Sequence, residues 1–314
     1  MFSFFKRIIK FKLGLAVRIL FWRKKPEVIA ITGSAGKTTT KEIVKTLLSD
    51  DFNVLAPSEG YNTEIGVPLA IFNKKVPIKA NSLIEWTKII FQCFVLAFFP
   101  KSFPEKIILE FGADKPGDIK YLTKLIRPSK GVVLTVLPVH LELLKNIENV
   151  KKEKEFLPRG IKDKGIAFLN FDNEYVREMR VSRGARTLTF GKKEGADFRA
   201  TKVVSDISGL SFVLEEGKNK HNIYTRLYGD QMIYPVLAAI AIARSENISY
   251  SKIKSILKDK VMPFKGRMNV IEGINGSVII DDSYNANPES TIKSLEFISK
   301  QKGRRIALLG SMNE

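Results

Sequence analysis

Cysteine is nearly absent from this sequence, since Cys93 is the single one in 314 residues. A lone thiol cannot form an internal disulfide, which excludes a small disulfide-stapled secreted scaffold and fits a reducing, cytosolic compartment. Because Cys93 lies inside an apolar run, we interpret it as a filler of the core or of an interface rather than as a nucleophile. The length leaves room for two domains of ordinary size.

Acidic residues are scarce relative to basic ones. The chain has 33 Asp and Glu against 52 Lys and Arg, a formal net charge of +19. Such an excess favours anionic partners, which include nucleotides, anionic substrates, nucleic acid and anionic membrane surfaces. No signature of DNA or RNA binding accompanies the charge, so we do not expect nucleic acid among the partners.

The first 22 residues contain no long uninterrupted apolar run. Five basic residues interrupt the segment: Lys6, Arg7, Lys10, Lys12 and Arg18. We therefore do not expect it to span a membrane comfortably, and the charges break up the apolar region that a signal peptide needs. On a helix one face would carry the apolar residues Phe4, Ile8, Phe11, Leu15, Ile19 and Trp22. Lys6, Arg7, Lys10 and Arg18 would lie opposite, and only Lys12 departs from the pattern. This pattern predicts either a membrane-surface helix or a helix docked on its own domain.

A second apolar segment covers residues 89–99, where Gln92 is the polar exception. Eleven residues are too few to cross a bilayer, so the segment is either a core helix or a second element at a membrane surface. If both segments enter the same interface, the protein is peripheral to an anionic membrane rather than integral.

Residues 32–40, with the sequence TGSAGKTTT, follow a short apolar run and precede a helical pattern. A strand, a glycine-bearing turn and a helix in this order form a phosphate-binding loop, because backbone N–H groups and the helix N-terminus face the anion. Lys37 would reach the β- and γ-phosphates, and the Thr38 hydroxyl would bind Mg²⁺. The general P-loop pattern has a glycine at the position that Ile31 occupies here, so this is a shorter form of the motif. We predict phosphate contacts from Gly33, Ser34, Ala35, Gly36, Lys37, Thr38 and Thr39.

Alternating strand and helix patterns from residue 27 to about 245 predict an α/β fold with a mostly parallel sheet. The expected strands are 28–32, 107–111, 131–136 and 166–170, and the expected helices are 41–49, 118–126, 147–155 and 231–244. Residues 185–228 suggest a small antiparallel subdomain. After a boundary near residues 262–266, a second α/β pattern begins with strands 268–271, 277–281 and 305–309 and helix 288–300, and it looks cut off in mid-domain.

The ordered motifs resemble those of the Mur ligase family. They are TGSAGKTTT (32–40), YNTEIGVPL (61–69), ILEFGADKPGDI (108–119), HLELLKNIENVKKEK (140–154), GRM (266–268), DDSYNANP (281–288) and LGSMNE (309–314). Each is weak alone, but the ordered set is specific and spans nearly the whole chain. The resemblance implies a P-loop central domain followed by the start of a Rossmann-like C-terminal domain.

The resemblance also implies an ATP-dependent, ADP-forming ligase of peptidoglycan precursor synthesis. In this chemistry ATP phosphorylates a substrate carboxylate, and an amine then attacks the acyl phosphate. The motif pairing FGADKPGDI with DDSYNANP favours the family branch that joins D-Ala-D-Ala to a UDP-MurNAc-tripeptide. The alternatives are a ligase of the same superfamily with other substrates, and a nucleotide-binding membrane-surface scaffold without ligase activity.

Matching the family's motifs residue by residue implies the remaining site. Thr38, Glu110, His140 and a carbamylated Lys154 would hold Mg²⁺, so Lys37, His140 and Lys154 are the expected catalytic residues. Arg267 and Asn285 would contact the nucleotide, and Asn62 and Thr63 the muramyl-peptide substrate.

The chain also departs from the family pattern. Ser311 stands where the family has Asp, and Phe156 where it often has Glu. We expect three segments, a basic amphipathic segment (1–26), an ATP-binding central domain (27–263) and a partial C-terminal domain (264–314). The family's N-terminal domain and most of its C-terminal domain are not matched. We therefore expect this chain to bind nucleotide yet ligate poorly.

Overall fold

The computed structural model describes residues 2–58, 60–78, 82–100, 102–139, 141–286 and 288–312. The helices in these ranges are α1 (Phe2–Lys24), α2 (Lys37–Leu48), α3 (Gly66–Ile71), α4 (Leu83–Phe98), α5 (Asp118–Ile126), α6 (Leu141–Leu144), α7 (Ile147–Arg159), α8 (Glu174–Arg177), α9 (Ile233–Ser245), α10 (Tyr250–Asp259) and α11 (Pro288–Ser299). The strands are β1 (Glu27–Thr32), β2 (Val54–Leu55), β3 (Lys106–Glu110), β4 (Lys130–Val133), β5 (Ile166–Asn170), β6 (Arg186–Gly191), β7 (Phe198–Asp206), β8 (Gly209–Glu216), β9 (Asn219–Thr225), β10 (Asn269–Glu272) and β11 (Val278–Asp281).

A nine-stranded sheet organises the chain, in the order β2-β3-β1-β4-β5-β6-β7-β8-β9. The strands from β2 to β7 are parallel, which confirms the predicted α/β fold. Strands β8 and β9 are antiparallel and extend this same sheet, because short turns join β7, β8 and β9 into hairpins. The antiparallel part is therefore continuous with the parallel part.

Strand β1 is the centre of the parallel sheet and is buried on both faces. Ile29 and Ile31 pack into one apolar layer with α2 and α9, whereas Val28 and Ala30 pack into the opposite layer with α1, α4 and α5. This alternation follows from the two-residue period of a strand. The chain order reverses around β1, since β3 lies on one side and β4 on the other. Ligands of open α/β sheets bind at the carboxyl ends of the strands at such a point.

Helix α1 docks on its own domain, which was one of the two predicted alternatives. Its buried residues recur at helical spacing: Ile9, Leu13, Ala16, Val17 and Leu20. Beside them, Lys10 donates to Glu64 at 2.6 Å and lies over the ring of Tyr121. Burial would raise the pKa of Glu64, but the hydrogen bond and charge of Lys10 outweigh it and lower the pKa. The docked face is not the apolar face that the sequence singled out.

The segment after residue 262 forms a two-stranded antiparallel sheet, β10 with β11, followed by α11. The predicted strand 305–309 is absent, since described residues 304–312 have no regular structure. A strand needs a neighbour that accepts its backbone hydrogen bonds, and the described residues offer it none.

Four charged side chains close the amino edge of the sheet around the start of β1. Glu27 and Glu246 each accept from both Lys106 and Lys130, so charges of opposite sign alternate. Burial alone would raise the pKa of Glu27, but hydrogen bonds from the two lysines lower it to about 2. The cluster fixes β1 between its neighbours and with it the loop at the other end.

We expect Glu27→Gln to destabilise the fold by about 2 kcal/mol at pH 7, because two buried lysines lose a counter-charge. The Glu27 carboxylate stabilises the fold fully at pH values above its ordinary pKa, and this stabilisation is lost as the pH falls toward 2. Urea unfolding at pH 7 and pH 3 measures this, with the exposed Glu194→Gln as control. An equal effect at both pH values would contradict the assignment.

Candidate active site

The loop between β1 and α2 lies on the residues that follow β4. The Ser34 N–H donates to the Thr135 carbonyl at 2.8 Å, and the Ala35 N–H donates to the Thr135 hydroxyl at 3.2 Å. A Cβ on Gly33 would come within 2.9 Å of the Leu134 Cβ, and Gly36 adopts a φ of 82°. Both positions therefore favour glycine. The loop is held on the central sheet rather than standing free in solvent.

Helix α2 presents an anion-binding end. Gly36 supplies no side-chain cap, so the N–H groups of Lys37, Thr38 and Thr39 have no intrahelical acceptor. The Lys37 ammonium folds back over the loop and donates to the Gly33 carbonyl at 2.8 Å. First-turn amides, the helix dipole and a lysine together can hold a polyphosphate.

Glu110 ends β3 directly beside this loop. Its Oε2 accepts from the Thr38 hydroxyl at 3.0 Å, and Thr38 in turn accepts from Arg267 at 3.2 Å. The parallel pairing of β1 with β3 places Ile31 opposite Glu110, which explains why the carboxylate reaches the loop. The structure thus brings Thr38, Glu110 and Arg267 together.

Lys154 lies inside the protein on α7. The buried residues of this helix recur with helical period, and two of them carry charges: Val150, Glu153, Lys154, Leu157 and Pro158. Burial and the nearby Lys37 ammonium lower the pKa of Lys154 to about 7, against a weaker opposing effect of Glu153. Lys152 is exposed and Lys151 pairs with Glu178 at 2.9 Å, so Lys154 does not belong to a solvated basic face.

The other predicted site residues have different surroundings. The Asn62 carbonyl accepts from the Gly112 N–H at 2.9 Å, two residues after Glu110. The exposed Thr63 hydroxyl accepts from the Gly66 N–H at 3.1 Å at the start of α3. Asn285 is exposed, and its side chain accepts only a local N–H, that of Ala286, at 2.9 Å among the described contacts. His140 lies outside the residues that the structure describes.

Three residues of the site carry signals that the sequence reading missed. Lys41 is 1% exposed and joins α2 to Glu110 and to the segment after β2, since its ammonium lies 3.0 Å from Glu110 Oε1 and 2.6 Å from the Pro57 carbonyl. The sequence pattern could have indicated this, because Lys41 is a charged residue at a position of α2 where helical spacing calls for a buried apolar one. Glu153 accepts the N–H groups of Gly117 and Ile119 and so ties α7 to the start of α5. Tyr284 lies 3.9 Å under the Arg267 guanidinium.

Among the described residues no cluster of three or more His, Cys, Asp or Glu could hold a metal ion. The Thr38 hydroxyl and the Glu110 carboxylate are nevertheless oxygen donors of the kind that Mg²⁺ prefers, and they lie at the anion-binding end of α2. The donor set therefore fits a magnesium nucleotide.

Comparison with known sequences decides the family. The pattern of the Mur ligase middle domain matches residues 31–243, and that of the Mur ligase glutamate ligase domain matches residues 266–314. The chain belongs to the Mur ligase family. This confirms the resemblance inferred from the ordered motifs.

Individual Mur ligases resemble the chain over most of its length. A protein of Escherichia coli (strain K12) named UDP-N-acetylmuramoyl-tripeptide–D-alanyl-D-alanine ligase is 28% identical over 290 residues, which cover 91% of this chain and 58% of that protein. A protein of the same name from Buchnera aphidicola (subsp. Acyrthosiphon pisum, strain APS) is 27% identical and covers 93% of this chain and 59% of its own length. The chain thus spans less than two thirds of these relatives.

Solved Mur ligase structures share the fold. The structure of MurF ligase from Thermotoga maritima in complex with ADP has a TM-score of 0.79 at 26% identity, covering 97% of this chain and 64% of that one. A MurF structure from Acinetobacter baumannii has a TM-score of 0.78 at 25% identity, covering 94% of this chain and 59% of that one.

Proposed function

We propose that this Mur ligase is an ATP-dependent, ADP-forming carboxylate–amine ligase that acts in the cytoplasm on peptidoglycan precursors. Its substrates would be a UDP-MurNAc-tripeptide and D-Ala-D-Ala, as the names of its relatives suggest, and nucleic acid is not among its partners. The observation that supports the proposal best is that the start of α2 lies beside two predicted site residues: the Thr38 hydroxyl donates to Glu110, and the Lys37 ammonium is close enough to Lys154 to lower its pKa. The ADP in the Thermotoga maritima structure supports nucleotide binding by the family fold.

The loop would hold the phosphates of ATP through the amides at the start of α2. Lys37 would leave its hydrogen bond to Gly33 and place its charge on the transferred phosphoryl group. Phosphoryl transfer is accelerated mostly by positioning and by neutralising charge, so a cradle and a cation suffice without a covalent participant. The substrate carboxylate would receive the phosphoryl group, and the amine of D-Ala-D-Ala would then displace phosphate from the acyl phosphate.

Thr38, Glu110, His140 and Lys154 would hold Mg²⁺, which supplies charge neutralisation across the phosphates when it is bound. Lys154 suits this position only as an anion. With its pKa near 7, a large share of its amine is uncharged at neutral pH and can add to the carbon of CO₂. The product is a carbamate with one proton released, so a buried cation becomes an oxygen ligand. Lys41 keeps Glu110 oriented through its contact with the second carboxylate oxygen.

Arg267 and Asn285 would contact the nucleotide from the segment after residue 262. Arg267 already donates to Thr38 and stacks on Tyr284, which limits its motion. Asn285 follows Tyr284 directly and is exposed, so its amide is accessible to a base. We assign the nucleotide site to Gly33, Ser34, Ala35, Gly36, Lys37, Thr38, Thr39, Arg267 and Asn285.

Asn62 and Thr63 would bind the muramyl peptide. Asn62 packs against Gly112, where an added Cβ would lie 2.9 Å from the Asn62 amide, and Gly112 follows Glu110 by two residues. A substrate carboxylate held there would lie near the phosphate end of the site. We retain the division into segments 1–26, 27–263 and 264–314 as part of the proposal.

The test measures ADP release by the 314-residue chain with ATP and Mg²⁺, adding UDP-MurNAc-tripeptide and D-Ala-D-Ala separately and together. We expect slow release that requires both substrates, and direct binding of ATP by calorimetry. ADP release that does not depend on D-Ala-D-Ala would overturn the substrate assignment. An absence of ATP binding would overturn the ligase proposal itself.

Removal of the proposed metal ligand is a separate test. We expect Glu110→Gln to raise the Mg²⁺ concentration for half-maximal ADP release by about tenfold or more, because a neutral amide is a poorer ligand for a hard cation. The exposed Glu194→Gln is the control and should change this Mg²⁺ concentration little. Unchanged Mg²⁺ dependence of Glu110→Gln would remove Glu110 from the metal site.

A further inference from the structure

Helix α1 is apolar on two opposite faces. One face is buried in the domain, and the opposite face exposes large side chains to solvent: Phe4 (71% exposed), Phe11 (69%), Trp22 (75%), Ile8 and Leu15. These five belong to the apolar face that the sequence singled out. Single exposed apolar residues are ordinary, but a continuous stripe of this size marks an interaction surface.

Helix α4 extends the exposed stripe. It packs beside α1 and buries Trp86, Cys93 and Ala97, while its outward residues remain exposed: Ile84, Phe91, Val95, Phe98 and the following Phe99. Burial raises the pKa of the Cys93 thiol to about 12, which agrees with its role as a filler between helices. Trp22 and Phe98–Phe99 line one open cleft of about 600 Å³, so the two helices share one surface. We call these outward residues of α1 and α4 the apolar platform.

Cations border the apolar platform. At about 100° per residue, Arg7 and Arg18 fall beside the α1 stripe on one side, which corrects the expectation that they lie opposite it, and Lys12 and Arg23 fall on the other side. All four are exposed, and no carboxylate among the described residues forms an ion pair with them. Helix α1 contains no acidic residue, and α4 contains only the half-buried Glu85. By contrast, Lys6 and Lys10 lie closer to the domain and pair with Glu64.

We propose that the apolar platform docks on the surface of an anionic lipid bilayer. Aromatic side chains bordered by Arg and Lys suit the boundary between acyl chains and anionic headgroups. A second copy is disfavoured as occupant, because it would bring two unpaired cationic rims together. None of the helices in the described part of the chain combines the length and the apolar character that a membrane span needs.

The test is co-sedimentation of the chain with phosphatidylcholine vesicles and with vesicles that also contain phosphatidylglycerol. We expect binding to the anionic vesicles, little binding to the neutral ones, and release as the salt concentration rises. Phe11→Ser/Trp22→Ser should weaken binding about tenfold or more, whereas Val204→Ser, an exposed apolar residue elsewhere, should not. Arg7→Gln/Arg18→Gln should weaken it more than Lys218→Gln/Lys258→Gln.

Two results would overturn this proposal. One is equal sedimentation with and without anionic lipid. Another is a concentration-dependent dimer in analytical ultracentrifugation that Phe11→Ser/Trp22→Ser abolishes, since the surface would then join two copies. The readout does not depend on ligase activity, and ATP affinity should be the same in all of these variants.

Discussion

Lys37→Met is expected to lower the rate of ADP release by a hundredfold to a thousandfold, the usual effect of losing one charge-stabilising group at a reacting centre. Methionine keeps most of the length and the apolar stem of the side chain, so the fall in rate measures the effect of removing the ammonium group. ATP affinity should also fall, because the loop loses a positive charge that would bind the phosphates. The measurements are steady-state ADP release and calorimetric ATP binding with the same protein preparations.

Lys45→Met on the same helix is the matched control. Lys45 is half exposed, and its ion pair with Glu42 is long, at 3.8 Å. Its ADP release should stay close to that of the unmodified chain. Thermal unfolding checks that Lys37→Met remains folded, because Lys37 makes a hydrogen bond to the loop carbonyl of Gly33. If Lys37→Met kept ADP release within a factor of two, the loop would not be the phosphate cradle.

The strand–loop–helix unit of β1 and α2 and the parallel sheet could be predicted because their signals are local. Gly33, Gly36 and Lys37 lie within five residues, and the strand-turn-helix order fixes their geometry. The contact between Thr38 and Glu110 required one more rule, that parallel strands end at a common edge. That rule held because β1 and β3 are neighbours.

Other features depend on tertiary contacts that periodicity does not resolve. Helix α1 carries two apolar faces, and the sequence alone cannot say which one meets the domain. The docked face contains Leu13, Ala16 and Val17, which are smaller than the aromatic residues opposite and fit between packed helices. The stacking of Tyr284 on Arg267 joins residues 17 positions apart in irregular segments, where no period applies.

Lys154→Met is expected to stabilise the fold while removing ADP release, the opposite of what a structural lysine would show. Burial lowers the pKa of Lys154 from 10.5 to about 7. Between these two pH values the unfolded chain binds a proton at Lys154 that the folded chain does not. The unmodified chain therefore loses stability as the pH falls from 10.5 to 7, and the loss is complete below 7. Methionine does not titrate, so Lys154→Met avoids this loss. The free energy of unfolding should therefore rise by on the order of 2–4 kcal/mol at pH 7 when CO₂ is excluded.

Urea unfolding at pH 7 and pH 10.5 tests the stability half of this expectation, with the exposed Lys152→Met as control. The gain should be large at pH 7 and small at pH 10.5. The functional half rests on the carbamate, whose formation from ¹³C-bicarbonate gives an NMR signal that Lys154→Met should lack. ADP release by the unmodified chain should fall when CO₂ is removed, and Lys154→Glu, which carries a permanent carboxylate, should retain more activity than Lys154→Met. A destabilised but active Lys154→Met would show that the buried ammonium is structural and that the metal site is made without it.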